Sequence, residues 1–378
     1  MRRFVALLFF LVAFTLVGSA AACGGEPPAE GEGEGEGEGE GEGEPTPEER
    51  MEAAAATAFA GQTASEGMAV LVLRADGSTV FEGVYGDFAL DRRIAVASAS
   101  KLVSGMLLFE LVRQGELSLQ DEVTDVLGFP QDKAGITLRH LLAFTSGLPR
   151  NADCTRQVIK TLAGCVDEIG ALPMEAVPGE LYDYGSTHLA VAARMAEVRT
   201  GESWNDLFTT FVKAPLGITD VDTRYYTGPR QSVGLQNPLV AGGLTISTEN
   251  YAKILLVALH EGVIDGGGLI GAPASYVEQA SEPYPDAAIG SSPMALNGFD
   301  FHYGLAAWLE CPPPAVDCPI VSSPGAFGFT PWFDREHDYV GIVATFGTAD
   351  PGSDEGVVAF AVDLEHELQP LIVEALGQ

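Results

Sequence analysis

A serine and a lysine three residues apart are the first pair in this sequence that could do chemistry. Ser98 and Lys101 begin a run whose apolar residues recur at helical spacing as far as Gln114. Residues i and i+3 share one face of a helix, and a serine at a helix N-terminus lies near the positive end of the helix dipole. A buried lysine has a lowered pKa and can accept the serine proton as a neutral amine. The spacing therefore predicts Ser98 as a nucleophile and Lys101 as its base.

A tyrosine further along the chain could carry a second proton. Tyr184 lies in the run Tyr182–Thr187, which Pro178 and Gly179 precede and an alanine-rich helical segment follows. A phenol on a loop beside a serine–lysine pair can relay a proton to or from a reacting group. A single tyrosine is more often a packing residue, so this interpretation depends on the other motifs.

Four segments in a fixed order make the sequence resemble the β-lactamase-related serine hydrolases, which include class C β-lactamases, D-alanyl-D-alanine carboxypeptidases and family VIII esterases. These segments are Ala97–Lys101, Ile136–Pro149, Tyr184–Ser186 and Ala241–Thr248. The resemblance extends from about Gly67 to Gly347. It implies that Ser98 is the acylated nucleophile, that Lys101 is its base partner and that Tyr184 is the second proton carrier.

The resemblance also implies a third element, a strand in which Lys or His is followed two residues later by Gly. The best match in this chain is the run from Ser323 to Gly325, with Ala326 next. By the same resemblance, the backbone N–H groups of Ser98 and Ala326 form the oxyanion hole, which stabilises charge on the reacting carbonyl oxygen. Ser186, Ser323 and Gly325 are then expected to contact the substrate.

Two positions depart from the family pattern. Ser186 stands where the family has Asn, and a hydroxyl cannot make the hydrogen bonds of an amide. Ser323 replaces the Lys or His that suits a substrate carboxylate, so a charge-assisted bond worth about 1.5–3 kcal/mol is missing. A rival match begins at His302, but its neighbours predict the preceding strand. These changes favour an esterase or amidase-like hydrolase that acts on uncharged acyl substrates.

Two other functions remain open from the sequence. One is a D-Ala-D-Ala carboxypeptidase or weak β-lactamase, which would act on cell-wall peptides or their analogues. The other is a non-catalytic binding protein of the same fold, because a fold alone does not confer an activity. In each case the expected ligand is a small-molecule or peptide acyl compound, and no cofactor or metal is expected. The sequence does not indicate an oligomeric state.

The order of the predicted elements indicates an α+β protein. The β-rich runs Met68–Leu73 and Thr79–Asp87 precede a helix at Ser98–Gln114, helical segments fill the middle, and the run Ala326–Phe333 is among the later strands. A final helix is predicted from about Val362 to Leu376. Together with the resemblance, this order predicts a β-lactamase/DD-peptidase-like fold, an antiparallel sheet flanked by helices with an inserted helical subdomain.

The N-terminal residues predict an exported protein with a lipid anchor. Residues 1–22 combine two arginines, an apolar run and small residues, the layout of a secretory signal, and Cys23 follows as in the lipobox of bacterial lipoproteins. Residues 23–49 consist largely of alternating Glu and Gly and are predicted to be a disordered tether, which leaves 50–378 as the hydrolase domain. We expect the lipid on Cys23 to hold the protein at the periplasmic face or the surface of a bacterial membrane.

The remaining cysteines and the charge are consistent with export. Cys154 with Cys165, and Cys311 with Cys318, form two close pairs that predict local disulfides in an oxidising compartment, whereas zinc binding would need histidines at ligand spacing. The chain has 20 Lys and Arg against 53 Asp and Glu, a net charge of −33. Such an acidic chain repels phosphate backbones, which argues against a nucleic-acid partner.

Overall fold

The computed structural model describes residues 44–347 and 354–378 of the chain. Within them the α-helices are α1 (Pro47–Gly61), α2 (Ser100–Gln114), α3 (Val123–Leu127), α4 (Leu138–Leu142), α5 (Leu162–Gly170), α6 (Thr187–Thr200), α7 (Trp204–Phe208), α8 (Thr248–Leu259), α9 (Pro273–Gln279), α10 (Pro293–Leu296) and α11 (Asp354–Ala375). The strands are β1 (Gly67–Arg74), β2 (Thr79–Gly86), β3 (Ile94–Ala95), β4 (Leu181–Tyr182), β5 (Arg224–Tyr225), β6 (Leu244–Ile246), β7 (Ala288–Ile289), β8 (His302–Tyr303), β9 (Trp308–Leu309), β10 (Ile320–Ser322), β11 (Thr330–Asp334) and β12 (Tyr339–Thr345). The predicted signal segment, Cys23 and nearly all of the predicted tether lie outside the described residues. No helix in the described part of the chain is both long and apolar enough to span a membrane.

A seven-stranded antiparallel sheet has the order β2-β1-β12-β11-β10-β9-β8. Two adjacent strands of this sheet, β1 and β12, pair from Met68 opposite Thr345 to Arg74 opposite Tyr339. Every residue of β12 is buried, as a continuous apolar run of that length predicts for a strand covered on both faces. Strands from the two ends of the described chain therefore lie side by side in one sheet.

The two faces of the sheet are covered by different helices. On β1, Met68, Val70 and Val72 pack in a cluster with residues of α1 and α11. Ala69 and Leu71 belong to the larger cluster on the other face, which includes residues of α2 and α8. Neighbouring side chains of a strand point to opposite faces, so both sets can be buried at once. The prediction of an α+β chain with an antiparallel sheet flanked by helices is confirmed.

An inserted helical region follows α2 and is organised around α6. This helix contacts α2, α3, α4 and α5, and its residues from Thr187 to Ala193 are all buried. Four alanines in α6 keep its surface small, at positions 190, 192, 193 and 196, which lets the surrounding helices pack closely. The region carries Tyr184 and Ser186 at the N-terminal end of α6, and it therefore sets their position relative to Ser98.

Both predicted disulfides are present in the structure. Cys154 is bonded to Cys165, which joins a short 3₁₀ turn at Asp153–Arg156 to α5. The second bond joins Cys311 to Cys318 in the connection between β9 and β10.

Several element boundaries differ from the sequence predictions. The helix predicted from Ser98 begins at Ser100, which leaves Ser98 in the turn before it. The predicted tether ends at Glu49, but α1 already begins at Pro47, because Thr46 and Glu49 form a reciprocal capping box around a proline at the first helical position. The last helix begins at Asp354, well before the predicted Val362. The predicted strand Ala326–Phe333 is a strand only from Thr330, since the residues before it form a turn in which the Gly328 N–H donates to the Gly325 carbonyl.

The first turn of α2 is held in place by buried hydroxyl groups. Tyr251 Oη donates to the Ala99 carbonyl at 2.7 Å, and Tyr225 Oη donates to the Ser100 carbonyl at 3.3 Å. Ser100 Oγ donates to the Ala97 carbonyl at 2.6 Å. Buried polar groups of this kind are costly to leave without partners, so these bonds fix the backbone around Ser98.

We predict that Tyr251→Phe lowers the free energy of unfolding by about 1–2 kcal/mol, because the Ala99 carbonyl loses its buried donor. Urea denaturation followed by circular dichroism would measure the change in midpoint at constant slope. Tyr284→Phe is the matched control, since the Tyr284 hydroxyl has no hydrogen bond among the described residues, and it should change stability by less than about 0.5 kcal/mol. Equal losses in the two variants would contradict this account of the α2 start.

Candidate active site

Ser98 lies in a 3₁₀ turn, Ala97–Ala99, between β3 and α2. Ala97 has a φ of 46°, in the left-handed region that residues other than glycine rarely adopt. The Ala99 N–H donates to the Val96 carbonyl at 3.1 Å, which closes the turn. The Ser98 side chain is half-buried and borders a cavity of about 760 Å³. The nucleophile predicted from the sequence therefore has access to a site large enough for a small substrate.

The Lys101 amine contacts the Ser98 hydroxyl. Its Nζ lies 3.0 Å from Ser98 Oγ and 2.7 Å from the carbonyl oxygen of Ala241. The side chain is buried, with 4% of its surface exposed. This burial, together with the charge of Arg156, lowers the pKa of Lys101 to about 7. Near neutral pH a large fraction of the amine is uncharged and able to accept a proton.

The Tyr184 phenol belongs to the same group. Lys101 Nζ lies 4.4 Å from the centroid of the Tyr184 ring. The ring stacks on Trp308 with centroids 5.2 Å apart and meets the edge of Phe144 at 5.3 Å. Burial raises the pKa of the Tyr184 phenol, and hydrogen bonds with Ser98 and Trp308 oppose this rise only in part. The phenol is therefore protonated at neutral pH and can serve as a proton donor.

Ser186, in the second motif, forms hydrogen bonds with the side-chain amide of Asn151. Its backbone N–H and its hydroxyl both donate to Asn151 Oδ1, at 3.1 and 3.0 Å. The hydroxyl also lies 3.3 Å from Thr155 Oγ1. Because Oδ1 takes both bonds, the Asn151 NH₂ group is left as a donor at the cavity wall. Asn151 was not singled out from the sequence, although it follows the Thr-Ser-Gly-Leu-Pro run by two residues.

The third motif lies against the nucleophile. Ser323 Oγ donates to the Ser98 carbonyl at 3.3 Å, and the Gly325 N–H donates to the Phe329 carbonyl at 2.8 Å. A side chain at Gly325 would lie only 2.2 Å from the Val96 carbonyl oxygen, so glycine is needed for this close approach. Ala326 lines the cavity with Ser98, and its N–H has no partner among the described residues. Ser323 and Gly325, which were expected to contact the substrate, are instead buried and do not line the cavity.

His302, the start of the rival third motif, lies elsewhere. It is part of β8 at the edge of the sheet, and its Nδ1 lies 2.9 Å from a carboxylate oxygen of Glu282. It does not line the cavity next to Ser98. The geometry therefore places Ser323, and not His302, beside the nucleophile.

A buried serine–histidine pair lies behind Tyr184. Ser146 Oγ and His188 Nδ1 are 2.9 Å apart, and His188 Nε2 donates to the Asp183 carbonyl at 2.8 Å. Burial lowers the pKa of His188 to about 4, so the ring is neutral and its Nδ1 accepts a hydrogen bond from the Ser146 hydroxyl. Both side chains are almost fully buried, which keeps substrate away from them. The pair fixes the backbone next to Tyr184.

The cavity contains two arginines that were not singled out from the sequence. Arg156 and Arg230 both line it, and no Asp or Glu does so in the part of the chain that the structure describes. The guanidinium of Arg230 lies 4.0 Å above the ring of Phe327. Neither arginine belongs to a motif, so only their position in the folded chain assigns them to the site.

Comparison with known proteins places the chain in a family. A family model described as Beta-lactamase matches residues 52–363. A solved protein from Bacteroides dorei, described as a β-lactamase candidate, is 26% identical with a TM-score of 0.73, over 87% of this chain and 98% of that one. EstCE1, a hydrolase with promiscuous acyltransferase activity, has a TM-score of 0.63 at 17% identity, over 83% of this chain and 97% of that one.

A curated relative shows a shorter match. Penicillin-binding protein 4 of Amycolatopsis lactamdurans is 34% identical over 134 residues, which are 32% of this chain and 33% of the relative. The match therefore spans about a third of that protein's length. The solved structures cover most of this chain, and they confirm the predicted β-lactamase/DD-peptidase-like fold. Since the family model extends over most of the chain, this protein belongs to the Beta-lactamase family.

Proposed function

We propose that this chain is a serine hydrolase that cleaves esters or amides through an acyl-enzyme on Ser98. The observation that carries the proposal is the 3.0 Å contact between Ser98 Oγ and Lys101 Nζ, an amine whose pKa is lowered to about 7. A neutral amine at that distance can take the hydroxyl proton as the nucleophile attacks. Hydrolases of the Beta-lactamase family are serine enzymes, and this general class supports the assignment.

Acylation follows from the positions of three groups. The Ser98 proton moves to Lys101 Nζ while Oγ bonds to the substrate carbonyl carbon. The negative charge on the carbonyl oxygen is stabilised by the N–H groups of Ser98 and Ala326. When the intermediate collapses, the Tyr184 phenol protonates the leaving group, and the phenolate regains a proton from the Lys101 ammonium. Lys101 and Tyr184 thus return to their starting states.

Deacylation uses the same groups with water as the nucleophile. A water molecule beside the ester carbonyl gives its proton to the Lys101 amine as its oxygen attacks the acyl carbon. The tetrahedral intermediate then expels Ser98 Oγ, which recovers the proton from Lys101. The acid product leaves, and the free serine is restored. No group other than those lining the cavity is needed for either half of the reaction.

The third motif favours esters and simple amides over penicillins. Ser323 supplies a hydroxyl, and no cation, at the position from which the family binds a substrate carboxylate. The expectation of uncharged acyl substrates rested on this residue. Arg156 and Arg230 line the cavity next to Ser98, whereas Ser323 is buried and does not line it. That expectation is therefore limited to the region of the third motif.

A peptidase that binds penicillin is the second candidate. One observation favours it, the likeness of part of the chain to a relative named penicillin-binding protein 4. Such an enzyme would form a long-lived penicilloyl ester on the same serine. The two candidates share the nucleophile and differ in which acyl group reacts fast and which acyl-enzyme persists.

We predict that a fluorophosphonate modifies Ser98 alone and that the protein hydrolyses p-nitrophenyl butyrate. Ser98→Ala should abolish both the adduct and the turnover, because Ser98 is the one serine in the described part of the chain whose hydroxyl contacts Lys101. Ser146→Ala is the matched control, since this buried serine also has a basic partner, and it should retain the Ser98 adduct. Intact mass and peptide mapping would locate the adduct, with a fluorescent penicillin as a parallel probe. Ester turnover that survives Ser98→Ala would refute the assignment, and a stable penicilloyl adduct would favour the peptidase.

We predict that kcat/KM for this ester rises with pH through about 7, the pKa of Lys101, and levels off above it. The rate rises with pH because the base acts as a neutral amine. Burial makes the neutral amine available at pH values below the ordinary pKa of a lysine. Lys101→Arg should lose most of the activity, since a guanidinium stays protonated. Initial rates between about pH 5 and pH 9 would test this. A profile that starts to rise only near the ordinary lysine range would contradict it.

We also propose that Cys23 carries a lipid that holds the protein at a bacterial membrane, on the strength of the residues around it. The full chain expressed in a bacterial host is predicted to enter the detergent phase in Triton X-114 partitioning, and Cys23→Ser is predicted to enter the aqueous phase. Cys154→Ser is the matched control, because it removes a cysteine from the folded part of the chain and leaves Cys23 in place. Recovery of the unaltered chain in the aqueous phase, with no diacylglyceryl mass on Cys23, would disprove the anchor.

A further inference from the structure

Arg156 differs from most arginines of this acidic chain in having no carboxylate partner. Most of the described arginines contact acids, as Arg113 does with Glu110 at 2.7 Å and Arg194 with Glu197 at 3.0 Å. Among the described residues, the Arg156 side chain has neither an ion pair nor a hydrogen bond, although the chain has 53 Asp and Glu. It is exposed and lines the cavity that contains Ser98. The cavity thus has an available cation and no described acid to neutralise it.

The backbone that carries Arg156 is fixed on both sides. Cys154 is bonded to Cys165 of α5, and Thr155 is buried with its hydroxyl 2.8 Å from the Ala152 carbonyl. The buried amide of Asn237 donates to the carbonyls of Cys154 and Gln157, at 2.8 and 3.1 Å. These contacts hold the short turn rigid, so that only the arginine side chain remains to be ordered when a ligand binds.

Arg156 also lies close to the reacting groups. The hydroxyl of Thr155, the residue before it, is 3.3 Å from Ser186 in the second motif. The charge of Arg156 contributes to the lowered pKa of Lys101. A substrate bonded to Ser98 would therefore have Arg156 within reach on the side of the cavity that the second motif forms.

The other arginine of the cavity is already engaged. Arg230 has its guanidinium 4.0 Å above the ring of Phe327, and its side chain donates to the Gly347 carbonyl at 3.4 Å. Its donors and its planar face are thus partly used by the protein. Of the two guanidiniums, Arg156 has the larger number of free hydrogen-bond donors.

We propose that Arg156 binds a carboxylate of the substrate and makes the enzyme prefer anionic esters or amides. This inference rests on the proposed serine hydrolase function. A guanidinium offers a planar pair of N–H donors that matches the two oxygens of a carboxylate. Arg156 would then supply the cation that Ser323 does not. It would do so from the side of the cavity next to the second motif, so the acid would occupy a different position in the substrate.

Two pairs of chromogenic esters test this and locate the carboxylate. The first pair is p-nitrophenyl butyrate and its m-carboxy-p-nitrophenyl analogue, with the acid on the leaving group. The second pair is p-nitrophenyl hexanoate and the p-nitrophenyl monoester of adipic acid, with the acid on the acyl group. The quantity compared is kcat/KM of the anionic ester divided by that of its neutral partner. Measurements at about pH 8.5, above the Lys101 pKa of about 7, minimise any effect of Arg156 on Lys101 protonation.

In one of the two pairs, the unaltered enzyme is expected to prefer the anionic ester. Arg156→Gln should reduce that preference by about 10- to 100-fold, and Arg156→Lys should keep part of it because a lysine retains the charge without the planar fork. Added salt should weaken the preference, since the guanidinium is exposed. Arg230→Gln is the matched control, because it removes an equal charge from the same cavity, and it should change the preference by less than about threefold.

Three outcomes would overturn the proposal. The first is that neither pair shows an anionic preference, and the second is a preference that survives Arg156→Gln. The third is an equal loss of preference in Arg156→Gln and Arg230→Gln, which would indicate a general electrostatic effect of the cavity and not a specific contact. If no ester of any kind is hydrolysed, the proposed function fails. The role of Arg156 is then tested separately by measuring the binding of carboxylate ligands. Calorimetry with adipate and m-carboxy-p-nitrophenol on Ser98→Ala should then show binding of one of them, weakened at least about tenfold by Arg156→Gln in the same background. No binding of either would refute the proposal.

Discussion

The structure depends on a buried amine that has no carboxylate beside it. Lys101 Nζ has only the Ser98 hydroxyl and the Ala241 carbonyl as close polar partners among the described residues. Burying a charged amine without a counter-ion is unfavourable, and the amine responds by losing its proton more easily. The unfavourable free energy of burying this amine is offset by the rest of the fold, chiefly by the apolar clusters on the two faces of the central sheet. The reactivity of Ser98 is thus linked to the packing of the whole hydrolase domain.

A group of aromatic side chains packs around the proton donor, Tyr184, and holds it in position. Tyr184 is stacked on Trp308 of β9 and meets the edge of Tyr303 of β8, with centroids 5.2 and 5.8 Å apart. Phe144, from the inserted helical region, contacts both tyrosines. Tyr184 therefore lies where the edge of the sheet meets the helical region. Because aromatic side chains have few rotatable bonds, this arrangement fixes the phenol with little conformational freedom left to lose.

The sequence predicted the parts of the site that depend on local geometry or on a recognisable motif. Ser98 and Lys101 are one helical turn apart, so their contact follows from their spacing alone. Arg156 and Asn151 could not be predicted in this way, because they reach the cavity only when the Cys154 turn packs against the start of α6. The break between the short strands β8 and β9 could not be predicted either, since periodicity cannot show the positive φ of 59° at Ala306, which lies between them.

The net charge of the whole chain is negative, whereas the charged side chains that line the cavity are positive. A chain with a net charge of −33 repels anions at long range, whereas the cavity next to Ser98 carries two arginines and no described acid. The repulsion between exposed charges is screened over about 8 Å at physiological salt, so it acts mainly on the approach of a substrate. Contacts inside the cavity act at hydrogen-bond distance and are screened less. An anionic substrate would therefore encounter this protein slowly at low salt and yet be held well once it is inside, which separates the rate of capture from the strength of recognition.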